Sequence, residues 1–424
     1  MHIVDTIMVG HLGAVYIAAA SLAHYLFMIP LLFALGSTMA ITPLTGNAHG
    51  AGDIIECKRL FSNAMFIQTI NGILLVLITL SIGLLIPIID PDTQKTALAQ
   101  SFYNYIALSS LPIVLLFTFK GYLDAFGWTI YGMIAMLFGN VVNIGINWVL
   151  IYGNLGFPAM GLEGAGLGTL LARILTLIFI VIVALTKKNT RKVLIFPKIS
   201  HIRKEKLKSF LKYGLHIGVQ SSVEIAAFTL IVIFAGWLGT QSAAAYQICI
   251  NIAGLCFLTT MGISTGATVL ISNYKGAGNT KGVIESSKAI FGISFIYTFL
   301  FSIFLVVGVN IYPTIFINDP EVLKLASMLL FILALFQIPD GLNVVVTGIL
   351  RGLLDTKIPM IINSISFWVI MIPLAYILAF VLDWKIVGIM YGVVTGILIC
   401  AVSIIIRFIY TLKKVKKTIN QPII

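Results

Sequence analysis

The chain has 424 residues, 59% of them hydrophobic and only 10% charged, and its mean hydropathy is +1.05. A water-soluble domain of this length does not carry so little charge, so the composition places the chain in a bilayer. The net charge of +12 would suit nucleic acid, but the basic residues are arranged as a topological signal, which excludes that partner.

A membrane-crossing helix needs about 20 apolar residues for a hydrocarbon layer of about 30 Å. Spans are expected near 16–46, 60–87, 97–121, 129–152, 162–186, 209–235, 243–271, 283–311, 322–350, 358–382 and 386–410, eleven in all. Ahead of them stands an apolar stub, Met1 to Val9. It is too short to cross and lacks the form of a signal peptide, so it reads as the end of a first helix whose start is missing.

Nine of the 27 Lys and Arg fall between Lys187 and Lys208, and Lys413, Lys414, Lys416 and Lys417 close the chain. Lys58, Arg59, Lys275, Lys281 and Lys357 lie in or beside loops of the same side, against Lys95, Lys324 and Lys385 on the other. Cytoplasmic loops carry the excess of Lys and Arg. The 187–208 loop and the C-terminus are therefore expected in the cytoplasm of a multi-pass protein of the plasma (inner) membrane. The lipid bilayer is then the partner the basic residues meet, with anionic headgroups beside them.

The chain is written twice. A shift of 226 residues aligns 5–53 with 231–279 without a gap: Leu12-Gly13 falls on Leu238-Gly239, Asn47 on Asn273, and Gly50-Ala51-Gly52 on Gly276-Ala277-Gly278. Further on, Asp90-Pro91-Asp92 recurs as Asp319-Pro320-Glu321, and Lys120-Gly121 with Asp124 recurs as Arg351-Gly352 with Asp355. Ordered matches of this kind mark an internal repeat. The expected architecture is an all-α polytopic membrane protein of two parallel six-helix repeats, twelve helices with the first truncated. Its parts are an N-lobe at 1–186, a basic cytoplasmic linker at 187–208, a C-lobe at 209–410 and a basic cytoplasmic tail at 411–424. Parallel repeats leave a cleft in which rocking gives alternating access. The Gly-Ala-Gly pairs are followed by no GKS or GKT, so nucleotide binding is excluded. Cys57, Cys249, Cys256 and Cys400 show no CxxC and no histidine at ligand spacing, which predicts neither disulfides nor a structural metal.

Most of the fifteen acids sit at loops or helix ends, but Asp5, Glu224 and Asp340 do not. An ionised carboxylate at the bilayer centre costs about 2.5–3.5 kcal/mol on insertion scales, so it is paired, protonated or turned to a wet cavity. Asp340 follows Pro339 in the apolar stretch 331–352. The proline is expected to break the helical ladder and free a carbonyl beside the acid for a cation or proton; the alternative is a kinked span whose acid bonds a neighbour. Glu224 has Gln220 one turn earlier on its face, a pair that can share a proton or cation or make an interhelical hydrogen bond. Should Glu224 meet Asp340, the two acids would hold one proton between them or bind a cation in its place.

Asn140, Asn143 and Asn147 give one span a polar stripe. With Asp5 it can form a second cation or proton site, or it can glue helices. Gln247 and Asn251, again i,i+4, line a cavity or pack. Arg173 reads as structural, His24 and His216 as packed residues, and Lys120 and Arg351 as cations answering helix dipoles. The acids Asp90, Asp92, Asp319 and Glu321 form an outer ring and read as solvated loop residues.

Val4-Asp5-Thr6-Ile7-Met8-Val9-Gly10, the duplicated Gly-Ala-Gly, Asn143 to Asn147 with Ile151-Tyr152-Gly153, and Gly348-Ile349-Leu350-Arg351-Gly352 together resemble the multidrug and toxic compound extrusion (MATE) transporters over essentially the whole chain. The resemblance implies a secondary active exporter of cationic, often aromatic drugs in exchange for sodium ions or protons, with no enzymatic activity and no cofactor beyond the transported cation. It implies a second-lobe ion site at Glu224 and Asp340 and a first-lobe site at Asp5, Asn143, Asn147 and Thr169. Gln220, Gln247, Asn251 and Phe336 are candidate cavity lining, and a monomer is expected. Many sodium-coupled bacterial members have a tyrosine four residues before the acid of the tenth helix, where Phe336 offers no oxygen, and some have an acid where Asn147 stands. Sodium and proton are both open as the coupling ion. The competing readings are a lipid-linked oligosaccharide flippase of related fold and an ion channel. A flippase needs a strongly basic cavity, whereas the interior offers mainly Arg173 and carboxylates. A channel needs no duplicated, hinged design.

Overall fold

The computed structural model describes residues 2–89, 93–194 and 202–419, and within them every regular element is a helix. Eleven of the described helices are long and apolar enough to cross a membrane, one at each expected place. Asp90 and Asp92 of the outer ring, Lys198 of the basic loop and the end of the tail (420–424) lie outside the described residues.

By its contacts the chain divides into a first unit, residues 1–49 and 53–218, and a second unit, residues 50–52 and 219–424. The first unit holds α1 (His2–Gly10), α2 (Ala14–Thr38), α3 (Ile41–Gly50), α4 (Ile54–Gly83), α5 (Ile86–Ile89), α6 (Thr93–Leu108), α7 (Ser110–Ala125), α8 (Thr129–Tyr152), α9 (Gly161–Thr186), α10 (Lys188–Val193) and the start of α11 (Lys204–Trp237). The second holds the rest of α11, then α12 (Thr240–Gly276), α13 (Thr280–Val307), α14 (Pro320–Gly352), α15 (Lys357–Ser364), α16 (Ile372–Tyr376) and α17 (Lys385–Ile419).

The duplication is written in backbone geometry as well as in residue identity. Gly13 and Gly239, 226 residues apart, precede α2 and α12 with φ of 124° and 105°. Gly52 and Gly278 repeat at 75° and 65°. Side chains rarely tolerate these angles, so glycine is required at both copies. One residue on, the Asp53 side chain caps α4 by accepting from the Glu56 N–H (2.8 Å), and Asn279 caps α13 by accepting from the Gly282 N–H (2.8 Å). Each such cap contributes about 1 kcal/mol.

The described residues on either side of 195–201 in the basic stretch pack on the first unit. The Tyr122 hydroxyl donates to the Val193 carbonyl (2.8 Å), the Arg203 N–H donates to Asn63 Oδ1 (2.9 Å), and Lys206 pairs with Glu56. Gly214 and Gly218 then bring α11 onto α2: a Cβ there would stand 3.1 Å from the Ser37 carbonyl and 2.9 Å from that of Phe33. The contact boundary therefore falls inside α11, after Gly218, and not at the end of the charged stretch.

In the second unit α12 and α14 pack through hydroxyls and glycines. Ser264 donates to the Val344 carbonyl and Thr268 to that of Gly348, both at 2.8 Å. Helix α14 runs unbroken through Pro339, so the expected break does not occur. The carbonyl that loses its donor is that of Leu335, four residues back and more than a turn from Asp340, and Ser302 donates to the neighbouring Ala334 carbonyl (2.6 Å). The strain of Pro373 is relieved differently, by π-helical stretches at Ile365–Met371 and Ile377–Val381 on either side of α16.

That hairpin closes on α17 through Gly388, Gly392 and Gly396, where an added Cβ would land on Leu378, Ala375 and Met371. Small residues at four-residue spacing allow such backbone contact between membrane helices. Overpacking a filled interior costs about 1–3 kcal/mol or more, so Gly392→Leu is expected to lower the melting temperature of the detergent-purified protein by several degrees. Gly254→Ala, where a Cβ meets open space, serves as the control and should melt as the wild type.

Candidate functional site

Three helices of the first unit converge on Asp5. Asn143 and Asn147 stand one turn apart on α8, Thr169 stands on α9, and the Tyr152 hydroxyl ties α8 to α1 by donating to the Met8 carbonyl (2.8 Å). Glycines on α9 set the approach: a Cβ on Gly164 would lie 2.6 Å from the Leu150 carbonyl, and one on Gly168 would overlap Asn147 Oδ1. Asp5, at 2% exposure, accepts from Asn147 Nδ2 at Oδ1 (2.6 Å) and from the Thr169 hydroxyl at Oδ2 (2.9 Å). Asn143 Nδ2 donates in turn to Thr169 Oγ1 at 3.5 Å.

The carbonyl ends of the two asparagines are the informative atoms. Asn143 Oδ1 and Asn147 Oδ1 are buried and, among the described residues, accept no hydrogen bond. A buried acceptor left unmade costs about 1–3 kcal/mol and calls for an explanation. Two such oxygens beside a carboxylate form an oxygen ligand set suited to a hard cation. Arg173, one turn beyond Thr169, lies within Coulombic range of Asp5. Its Nη1 donates to Ser109 (2.6 Å) and its guanidinium rests 5.6 Å from the Phe27 ring, so it supplies counter-charge without occupying the acid's oxygens. Because Gly168→Ala would push Asn147 aside, it is expected to raise the cation concentration for half-maximal transport about tenfold, the equivalent of one charge-assisted bond of about 1.5 kcal/mol. Transport assays across a sodium or proton series check this.

In the second unit Glu224, on α11, lies within Coulombic range of Asp340 and Arg351, both on α14. Cys400, on α17, is in range of both acids. The sequence left their approach open; the structure brings them together. Arg351 Nη2 donates to Gln220 Oε1 (3.1 Å), one turn before Glu224, and the Trp368 indole N–H donates to the Val223 carbonyl (3.0 Å). Cys400 also donates to Asn363 Oδ1 (3.1 Å) and Asn343 Oδ1 (3.6 Å). Unlike Asp5, both acids are partly exposed.

Other expected residues fall elsewhere. Gln247 and Asn251 bond each other (3.2 Å) on an exposed face of α12. Phe336 packs on the apolar core of the second unit. His24 sits edge-on to Phe102, 5.3 Å between centroids. Asp319 caps α14 by accepting from the N–H groups of Glu321 (2.9 Å) and Val322 (3.3 Å). Lys120 and Arg351 are not merely dipole partners: Lys120 pairs with Asp124 (2.6 Å), whereas Arg351 donates to Gln220 and lies within Coulombic range of Glu224. Sequence reasoning missed Cys400, Asn343 and Asn363, though Asn343 lies three residues after Asp340 on its face of α14. The repeat places the counterpart of Asp340 near Ser109 to Leu111, none of them an acid, and the Ser109 hydroxyl accepts from Arg173 Nη1 (2.6 Å).

A family model described as MatE matches residues 1–149 and 217–377. The chain is 30% identical over 431 residues to a probable multidrug resistance protein NorM of Agrobacterium fabrum, covering 99% of this chain and 91% of that one. It is 28% identical over 418 residues to a protein of the same description from Bacillus anthracis, covering 98% and 92%. In fold it is similar to a crystal structure of MATE in the bent conformation, with a TM-score of 0.88 at 20% identity over 99% of this chain and 92% of the other. With eleven candidate spans and a family match running through most of both repeats, the chain belongs to the MatE family of multidrug efflux transporters and is a multi-pass membrane transporter, not an enzyme.

Proposed function

We propose that this chain is a secondary active antiporter that exports cationic aromatic compounds in exchange for sodium ions or protons by alternating access. Its coupling residues are Asp5, Asn143, Asn147 and Thr169 in the first half and Glu224 and Asp340 in the second. On this reading the lobes are 1–186 and 209–410. The 187–208 linker and the 411–424 tail lie in the cytoplasm, and the protein works as a monomer in the plasma membrane. The coupling cation is cargo and not a resident cofactor.

The observation that carries the reading is the pair of unpartnered buried oxygens, Asn143 Oδ1 and Asn147 Oδ1, around a carboxylate already oriented by Asn147 and Thr169. A packing role would leave those oxygens unsatisfied at a cost, whereas a cation uses them. The partly exposed acids of the second half suit a positively charged compound or ion arriving from a cavity. Coupling then follows from the field, since each elementary charge crossing it is worth about 2.3 kcal/mol per 100 mV.

The test is ethidium efflux from proteoliposomes holding the purified chain, first under an imposed sodium gradient and then under a proton gradient. Acceleration by one gradient is expected and names the ion. Equal, slow leakage with either gradient and with none would refute antiport, and ion flux without any compound would favour a channel.

A further inference from the structure

The two copies of one motif are wired differently. In the first half Lys120 pairs with its own Asp124, i,i+4, at 2.6 Å. In the second half the corresponding acid, Asp355, is taken by Arg407 of α17 (Nε to Oδ2, 2.7 Å), with Thr411 also donating to it (3.4 Å). Lys275, the next cation, donates to the Leu353 carbonyl (2.7 Å) and lies in range of Asp355. The motif's own cation, Arg351, turns instead to Gln220 and into range of Glu224.

Asp340 and Arg351 are eleven residues apart on α14, three helical turns, and so share a face. Glu224 senses both. An arginine stays charged in any protein environment, so this guanidinium is a permanent counter-charge. With both carboxylates ionised, the state a cation meets, Glu224 and Asp340 bring two negative charges and Arg351 returns one positive, which leaves a net charge of −1. The other polar groups of the cluster, Gln220, Cys400, Asn343 and Asn363, add none. Asp355, Arg407 and Lys275 form a neighbouring group with its own internal balance.

We infer that Arg351 sets the charge of the second-unit site so that it accepts a single positive charge at a time and discriminates singly from doubly charged cations. The inference rests on the proposed transport reading. The charge can arrive as a coupling ion or on an organic cation, and the shared requirement is one unit of positive charge.

The test is equilibrium binding of tetraphenylphosphonium, singly charged, and methyl viologen, doubly charged, to the purified full chain. Glu224→Gln makes the site neutral and is expected to weaken tetraphenylphosphonium binding about tenfold or more, the scale of one charge lost at close range. Adding Arg351→Gln returns the sum to −1 and is expected to recover most of that affinity. Arg351→Gln alone should move the preference toward methyl viologen about tenfold, and Arg351→Lys should keep the wild-type preference. Recovery in the double variant is what a bonding role cannot produce, because that variant has lost both the acid and the bond to Gln220.

A double variant as weak as Glu224→Gln, or a Glu224→Gln chain that binds like the wild type, overturns the inference and leaves the transport reading standing. A wild type that binds neither probe removes both. Titrating sodium and then acid against bound tetraphenylphosphonium identifies the source. Displacement with a slope of one means that ion and compound share the single charge, and a slope of two overturns the count. With no displacement the compound alone supplies the charge, and the count stands on the variants.

Discussion

Replacing Asp5 by asparagine is expected to leave a folded protein whose ion-driven efflux falls about a hundredfold or to background. The change is isosteric, so Asn147 Nδ2 retains an acceptor where Oδ1 stood. What is lost is the charge. Attraction between unit charges at 4 Å is worth about 4 kcal/mol at an effective dielectric of about 20, more than enough for two powers of ten at 1.4 kcal/mol each. Asp5→Ala separates the two roles, because it also orphans the Asn147 and Thr169 donors at about 1–3 kcal/mol apiece and should lower the melting temperature as well. Ethidium efflux from proteoliposomes together with thermal melting in detergent distinguishes the outcomes. An Asp5→Asn chain that still responds fully to an ion gradient would remove Asp5 from the coupling machinery.

The second large effect is expected at Asp340. In a bacterium stripped of its own efflux pumps, the wild type should lower ethidium accumulation, and Asp340→Asn should leave it at the level of the empty vector. Asp340 supplies the surplus charge of its site, since Glu224 is already opposed by Arg351. Neutralising it leaves nothing to attract a cation. The change is also local: helix α14 runs straight through the position, so an amide of the same size disturbs little packing. Equal accumulation with both chains would assign Asp340 to structure alone.

Much of this molecule is legible in its sequence, for identifiable reasons. Spans announce themselves because hydrocarbon tolerates little else, and the repeat survives wherever backbone geometry forbids substitution, as at Gly13 and Gly239. The Asp5 site is half legible. The i,i+4 spacing of Asn143 and Asn147 puts them on one face, but only family resemblance pointed to Thr169, because its role depends on how closely α9 approaches α8 at Gly164 and Gly168. The partner of Arg351 was not legible at all. Its repeat counterpart Lys120 pairs with the acid four residues on, and nothing local reveals that Arg407, fifty-two residues beyond Asp355, has displaced that pairing. Pro339 misled for a related reason. Its ring disturbs the carbonyl four residues back, that of Leu335, and not one beside Asp340, and the helix continues past it.

The bond from the Trp368 indole to the Val223 carbonyl gives the protein an optical reporter of its own. The indole touches the residue immediately before Glu224, so a shift of α11 there changes its hydrogen bond and with it the wavelength of emission. The other tryptophans are Trp128, Trp148, Trp237 and Trp384. Replacing those four with phenylalanine would isolate a single emitter, and occupancy of the second-unit acids could be followed in real time without an attached dye.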